Sequence, residues 1–266
     1  MTIVLNEYEW AEKMINDHDL GKRPTETLNR IAKYYYANRF SKREIRKRLS
    51  AFLLQCDPYA SLVQWSDVLD KIVKNVGKYP LIQLDGVDVT KEELRRIETL
   101  ESKPLRRLAF TLLCAAKYWD LVSPKNHHWV NTSDKEIMLM ANISTSIKRQ
   151  SMLFGELQKK GFICFSKKID NLNVRVLFMG AGETAIHIRD FRNLGYQYLK
   201  YYGEPYFECV NCGIVTRYQN LSRRGRFKRG GIQKYCPNCA AEMRAKQAVN
   251  AAMKRKEESK QKQFAC

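Results

Sequence analysis

The sequence contains no apolar run approaching the roughly 18 residues that a membrane-spanning helix needs. Its N-terminus, Met1-Thr2-Ile3-Val4-Leu5-Asn6-Glu7, has neither a basic leader nor a long apolar stretch of the secretory kind. Both absences point to a cytoplasmic protein with no membrane partner. Catalytic motifs are missing as well. Gly180-Ala181-Gly182-Glu183 has no Gly-Lys-Ser/Thr after it, so it is not a phosphate-binding loop, and no His-Glu-x-x-His occurs. The expectation is a protein that is not an enzyme. Acidic residues are also scarce: 28 Asp and Glu stand against 47 Lys and Arg, a net charge of +19.

What remains is an ordinary globular composition. With 44% hydrophobic and 28% charged residues, wholesale disorder is excluded, and 266 residues leave room for two or three domains. The charge excess is confined to two blocks. Residues 1–102 hold 17 basic and 16 acidic residues, whereas 103–180 hold 13 and 5, and 217–262 hold 14 and 3. Focused positive charge fits a polyanion partner, usually nucleic acid; a solubilising surface is the alternative.

The first 102 residues read as a helical domain. Apolar residues recur at helical spacing from Leu5 to Ile15, from Leu28 to Tyr35, from Ile45 to Leu53 and from Leu62 to Ile72. Ser41-Lys42-Arg43-Glu44 and Thr90-Lys91-Glu92-Glu93 have the spacing of helix N-caps, and Asp85-Gly86 amid alternating residues predicts a short strand or hairpin. Tyr34-Tyr35-Tyr36 and the cations from Lys42 to Arg48 read as a solvated scaffold face rather than a binding surface, because consecutive helical positions point to different faces.

Residues 103–180 have a distinct order. An apolar helix from Pro104 to Trp119 precedes a short extended stretch near Trp129. Ser133-Asp134-Lys135-Glu136 opens a short helix, Ala141-Asn142-Ile143 forms a turn, and Ser144 is placed to cap a longer helix with Ile147, Ser151, Phe154 and Leu157 inward, closed by Gly161. Strands at 162–166 and 172–178 follow, with a turn at Asp170-Asn171. His127-His128 reads as a surface pair. This order resembles the winged helix-turn-helix family. The resemblance implies a recognition helix in a DNA groove and a wing beside it. Thr145, Lys148 and Arg149 would face the nucleic acid from the helix, and Lys167, Lys168 and Arg175 from the wing. Lys and Arg neutralise phosphate, and Arg can take a guanine edge. A winged helix used for protein interaction is the alternative.

The sharpest motif is Cys209-Val210-Asn211-Cys212-Gly213 followed, after 22 residues, by Cys236-Pro237-Asn238-Cys239. Two C-x-x-C pairs supply the four thiolates of a tetrahedral, coordinatively closed structural zinc site, one zinc per chain. Cys56, Cys114, Cys164 and Cys266 stay outside it. Between the pairs, Arg223, Arg224, Arg226, Lys228 and Arg229 alternate with glycines and aromatics and can reach phosphates. The module resembles the zinc-ribbon and treble-clef families, with a helix starting at the last ligand. The nucleases built on a treble clef place a histidine near the second pair, and no histidine follows His187. The stretch from Asn193 to Lys246 also resembles accessory proteins of phages and mobile elements, in which a winged helix and a Tyr-rich helix precede such a module.

The expected architecture is therefore mainly α with small β elements: a helical N-terminal domain (1–102), a winged helix-turn-helix (103–180), a helical linker (181–207), a zinc-binding module (208–246) and a basic tail (247–266). The expected activity is nucleic-acid binding, with duplex DNA the first partner. RNA binding, or interaction with a host protein or nucleoprotein complex, are the alternatives.

Overall fold

The computed structural model describes residues 3–167, 173–219 and 232–264, without the side chains of 254–264. In chain order its elements are α1 (Glu7–Asp17), α2 (Pro24–Ala37), α3 (Lys42–Cys56), α4 (Leu62–Asn75), β1 (Val87–Thr90), α5 (Lys91–Glu98), α6 (Lys103–Val122), β2 (Trp129–Val130), α7 (Asp134–Met140), α8 (Ile147–Lys159), β3 (Ile163–Phe165), β4 (Val174–Val176), β5 (Thr184–Ile188), α9 (Leu194–Tyr201), β6 (Tyr206–Glu208), β7 (Val215–Arg217) and α10 (Pro237–Phe264). The chain is mainly α, with small antiparallel sheets. Among the described residues, no helix is long and apolar enough to cross a membrane.

Two compact units share the chain in alternating segments. The first comprises Met1–Arg96, Leu112–Glu136 and Gln158–Phe191; the second comprises Ile97–Thr111, Ile137–Leu157 and Arg192–Cys266.

The first unit is organised around α1–α4. Leu28 and Ile31 from α2, Ile45, Leu49, Phe52 and Leu53 from α3, and Leu69 from α4 are buried together. These are the apolar positions of the helical spacing read from the sequence, so the pattern specifies the faces that meet. Ser41 closes a full capping box with Glu44. Thr90 and Glu93 make the reciprocal pair at α5, with bonds of 2.8 and 3.3 Å. The Asp85-Gly86 signal does not produce a hairpin. β1 pairs instead with β5, with Val87 opposite Ile188. A Cβ on Gly86 would stand 2.5 Å from the His187 ring and 2.7 Å from the Ile188 carbonyl, so glycine lets the two segments approach. A three-stranded antiparallel sheet in the order β2-β4-β3 completes this unit. It contains the two strands expected at 162–166 and 172–178; their turn lies outside the described residues.

In the second unit, α9 packs through Leu194, Gly195, Tyr198 and Leu199, and the Tyr198 ring lies 5.3 Å from that of Phe110. The aromatic stripe of 193–204 is thus partly a packed helix face. A short hairpin, β6 with β7, leads to the cysteine cluster, and α10 leaves it.

Candidate metal centre and nucleic-acid interface

Cys209 and Cys212 lie in the connection between β6 and β7. Cys236 immediately precedes α10, and Cys239 is in its first turn. Their sulfurs all lie within 4.8 Å of one another. Four sulfurs at about 2.3 Å from one ion stand about 3.8 Å apart at the corners of a tetrahedron. The Cys212 and Cys236 sulfurs are 3.8 Å apart, far beyond the about 2.05 Å of a disulfide. The four side chains can therefore hold a metal ion.

Local backbone geometry brings each pair to this point. The Gly213 amide donates to the Cys209 carbonyl at 2.8 Å, and Gly213 has φ +72°, a left-handed conformation that favours glycine. The Val210 amide donates to the Lys234 carbonyl at 3.0 Å and ties the first pair to the approach of the second. The Cys236 amide donates to the Cys209 sulfur at 3.3 Å, and the Asn211 amide group donates to the Cys239 sulfur at 3.3 Å. Burial pushes the Cys209 thiol up, but N–H donors from Cys236, Cys212 and Asn211 outweigh it and bring it down to about 6. Burial pushes Cys212 up to about 12. One thiolate is thus prepared by donors, and a cation would have to stabilise more.

Apart from the cysteines, the hydrophobic side chains packed at this centre among the described residues are Ile214 and Tyr235. Cys114, by contrast, is fully buried among apolar residues, and that burial raises its thiol well above the usual range; Cys56 is raised by burial as well. Both are suited to packing and not to metal binding.

An asparagine pair joins the cysteine hairpin to the turn between α7 and α8. Asn193 sits at the N-cap of α9 with φ +54° and does not cap the helix itself. Its side-chain amide donates to the Val215 carbonyl at 2.9 Å, and its oxygen accepts from Asn142 at 2.9 Å. The Asn142 oxygen accepts from the Tyr196 amide at 3.1 Å and so supplies the missing cap. Arg107 donates to the Asn142 carbonyl at 3.1 Å, and Arg192 to that of Cys212 at 2.5 Å. Gly195 lies directly on this turn: a Cβ there would be 2.0 Å from the Ala141 carbonyl oxygen.

The predicted nucleic-acid residues fall into three groups. Lys148 and Arg149 are exposed, side by side in the first turn of α8. The cap of that helix is not Ser144. The Ser146 hydroxyl accepts from the Arg149 amide at 3.4 Å, so α8 starts at Ile147 and the half-buried Thr145 precedes it. The predicted inward stripe is right at Phe154 and Leu157 and wrong at Ile147, which is 81% exposed, and at Ser151, also exposed. Lys167, two residues beyond β3, is exposed, whereas Arg175 lies in β4 and donates from Nε to the His127 carbonyl at 3.0 Å. Lys168, Arg223, Arg224, Arg226, Lys228 and Arg229 lie outside the described residues.

The histidine pair is more structured than a free surface loop. His128 has φ +68°, its ring Nδ1 is 2.5 Å from Asp120, and its amide donates to the same carboxylate at 2.8 Å. Burial raises the Asp120 carboxyl, but the His128 and Asn126 donors overcome it and hold it below the usual range.

Compared with known proteins, the chain matches no family model, no curated protein and no solved structure.

Proposed function

We propose that this chain is a zinc-stabilised, non-enzymatic nucleic-acid-binding protein whose first ligand is duplex DNA. The observation that carries the proposal is the exposed Lys148–Arg149 pair on the first turn of α8, directly after the left-handed turn at Asn142. The order α6, β2, α7, α8, β3, β4 supports a winged helix with α8 as its recognition helix. The hairpin carrying one cysteine pair and the helix receiving the other support a treble-clef zinc module. Zinc suits four thiolates, and with four protein ligands it keeps no open position for catalysis. Arg223, Arg224, Arg226, Lys228 and Arg229 add a second cationic segment. Phosphate contacts from that segment would position the protein, while α8 reads bases. The resemblance to phage and mobile-element accessory proteins supports a role as regulator or replication accessory factor, in the cytoplasm.

The test is a salt series on duplex DNA, single strands and RNA with wild type and Lys148→Ala/Arg149→Ala. Loss of a base-contacting arginine costs about 1–3 kcal/mol and relaxes sequence preference. The double variant therefore binds duplex DNA more weakly and less selectively, with its fold intact. Unchanged affinity overturns the assignment of α8.

A second reading rests on a specific feature of the same helices. Leu139 on α7 and Ile147 and Met152 on α8 are 74%, 81% and 52% exposed. Apolar side chains on a DNA-reading helix can meet thymine methyls, but exposed apolar side chains also suit a protein surface. In that reading the chain inhibits or remodels a host nucleoprotein complex, and binding to all three nucleic acids is weak and unselective.

A further inference from the structure

The first unit contains a cavity of about 480 Å³, within the range of small-molecule sites. Leu81, Ile82, Leu84, Trp119 and Val122 give it apolar walls. Tyr79 and Leu121 also line it and are 73% and 54% exposed, so it opens to solvent beside apolar side chains. On its polar side, Glu7 is 1% exposed and accepts from Arg30 Nε at 3.3 Å and from Lys33 Nζ at 3.1 Å. The Ile82 amide donates to the same carboxylate at 3.1 Å. The protein itself thus supplies the donors that this carboxylate needs.

Tyr118, from α6, is different. It lines the cavity and is 4% exposed. Its ring packs against those of Trp119 and Phe191, with centroids 5.2 and 5.7 Å away. Its hydroxyl has no hydrogen-bond partner among the described residues. Buried hydroxyls are almost always paired with protein, water or a ligand, because an unpaired one forfeits its hydration. Burial pushes the Tyr118 phenol up to about 12, and the Glu7 carboxylate raises it by more than the Arg30 guanidinium lowers it. The phenol therefore stays a protonated donor at neutral pH and asks for an acceptor. Because Glu7 acts on it more strongly than Arg30, an uncharged acceptor suits this position better than an anion.

We propose that this cavity binds an uncharged small molecule with a carbonyl group on an aryl or alkyl body, the carbonyl accepting from Tyr118 and the body lying along Trp119 and Leu84. The carbonyl pairs the buried hydroxyl, and the apolar remainder fills the walls. None of the residues assigned to nucleic-acid binding takes part, so the site stands apart from that reading.

The full-length, 15N-labelled protein is titrated with 4-phenylbutan-2-one, with butylbenzene, which has the same body without the carbonyl, and with 4-phenylbutyrate, which carries a charge. The Ile82 amide and the Trp119 indole, which donates to Thr132 at 2.9 Å, are the reporters. The ketone shifts both signals saturably and binds more tightly than the carboxylate. Tyr118→Phe keeps the ring and removes the hydroxyl. It weakens ketone binding about fivefold, the worth of one neutral hydrogen bond, and leaves butylbenzene binding as it was. Leu121→Trp, at an exposed position of the lining, narrows the opening and weakens the ketone without disturbing the rest of the spectrum. No saturable shift with the ketone overturns the proposal. Tighter binding of the carboxylate shows an anion site and also overturns it. So does unchanged ketone affinity in folded Tyr118→Phe, which removes the hydroxyl from recognition, or in folded Leu121→Trp, which places the ligand elsewhere.

Discussion

The helical bundle of α1–α4 and the cysteine module are held together by opposite means. In the bundle, Leu28, Ile31, Ile45, Leu49, Phe52 and Leu53 are almost completely removed from water, and removal of apolar surface drives folding. In the cysteine module, the hydrophobic side chains around three buried cysteines are, among the described residues, Ile214, Tyr235 and the fourth cysteine. A segment this short and polar cannot offset the entropy of ordering its backbone by burial. Burial raises both Cys212 and Cys236, so without an ion these sulfurs keep their protons, and a metal would have to displace them. If the proposed zinc is what holds the module, the bundle folds without it and the module does not, and a single melting temperature does not describe the chain.

The largest effect that separates the two regions is metal removal. Apparent zinc-binding free energies of about 10–16 kcal/mol are folding free energy in small structural sites. Chelation, or Cys236→Ser, should unfold the segment from Tyr206 to Arg217 and the start of α10. Hydrogen exchange read by peptide should show complete loss of protection there and unchanged protection at Leu28 to Leu53. Equal loss in both would remove the distinction.

Phe52→Ala is the converse. Large-to-small substitution of a buried phenylalanine costs about 3–5 kcal/mol. The urea midpoint of the bundle should fall, equally with and without added zinc, while the cysteine module keeps its metal.

Gly195→Ala should give the smallest of the three effects. Its Cβ meets the Ala141 carbonyl, and relief of such overpacking costs about 1–3 kcal/mol. Because Asn142 and Asn193 connect that turn to Val215, exchange should rise both at 141–143 and in the β6–β7 hairpin. A rise in only one place would show that the asparagine pair does not couple them.

Legibility from sequence followed the range of the interactions. The four cysteines were readable because each C-x-x-C pair is a local turn, the first closed by Gly213 in a left-handed conformation. The faces of α2 and α3 were readable because helical periodicity is local too. The Asp85-Gly86 signal was right about a short strand, β1, and wrong only about a hairpin, because the partner of β1 is β5, about a hundred residues away, and no turn chemistry reports a distant strand. At α8 two serines stand two positions apart, and the helix starts after Ser146 rather than Ser144, leaving Ile147 exposed at its first position. Glu7 gave no signal at all. It was only one of the acids of a charge-balanced region. Its burial comes from Arg30 and Lys33 on a neighbouring helix, a pairing that composition cannot show. The aspartate that holds His128 lies eight residues before it and was missed for a similar reason.

The metal centre is the claim on which the comparison stands, and native mass spectrometry of protein purified in reducing buffer tests it most directly. Wild type should carry one zinc per chain, and Cys236→Ser should carry none or lose it to a weak chelator, with Cys56→Ser and Cys164→Ser as loaded controls. A wild-type chain with the mass of the bare polypeptide, or a Cys236→Ser chain that keeps its zinc under the same chelator, would contradict the account.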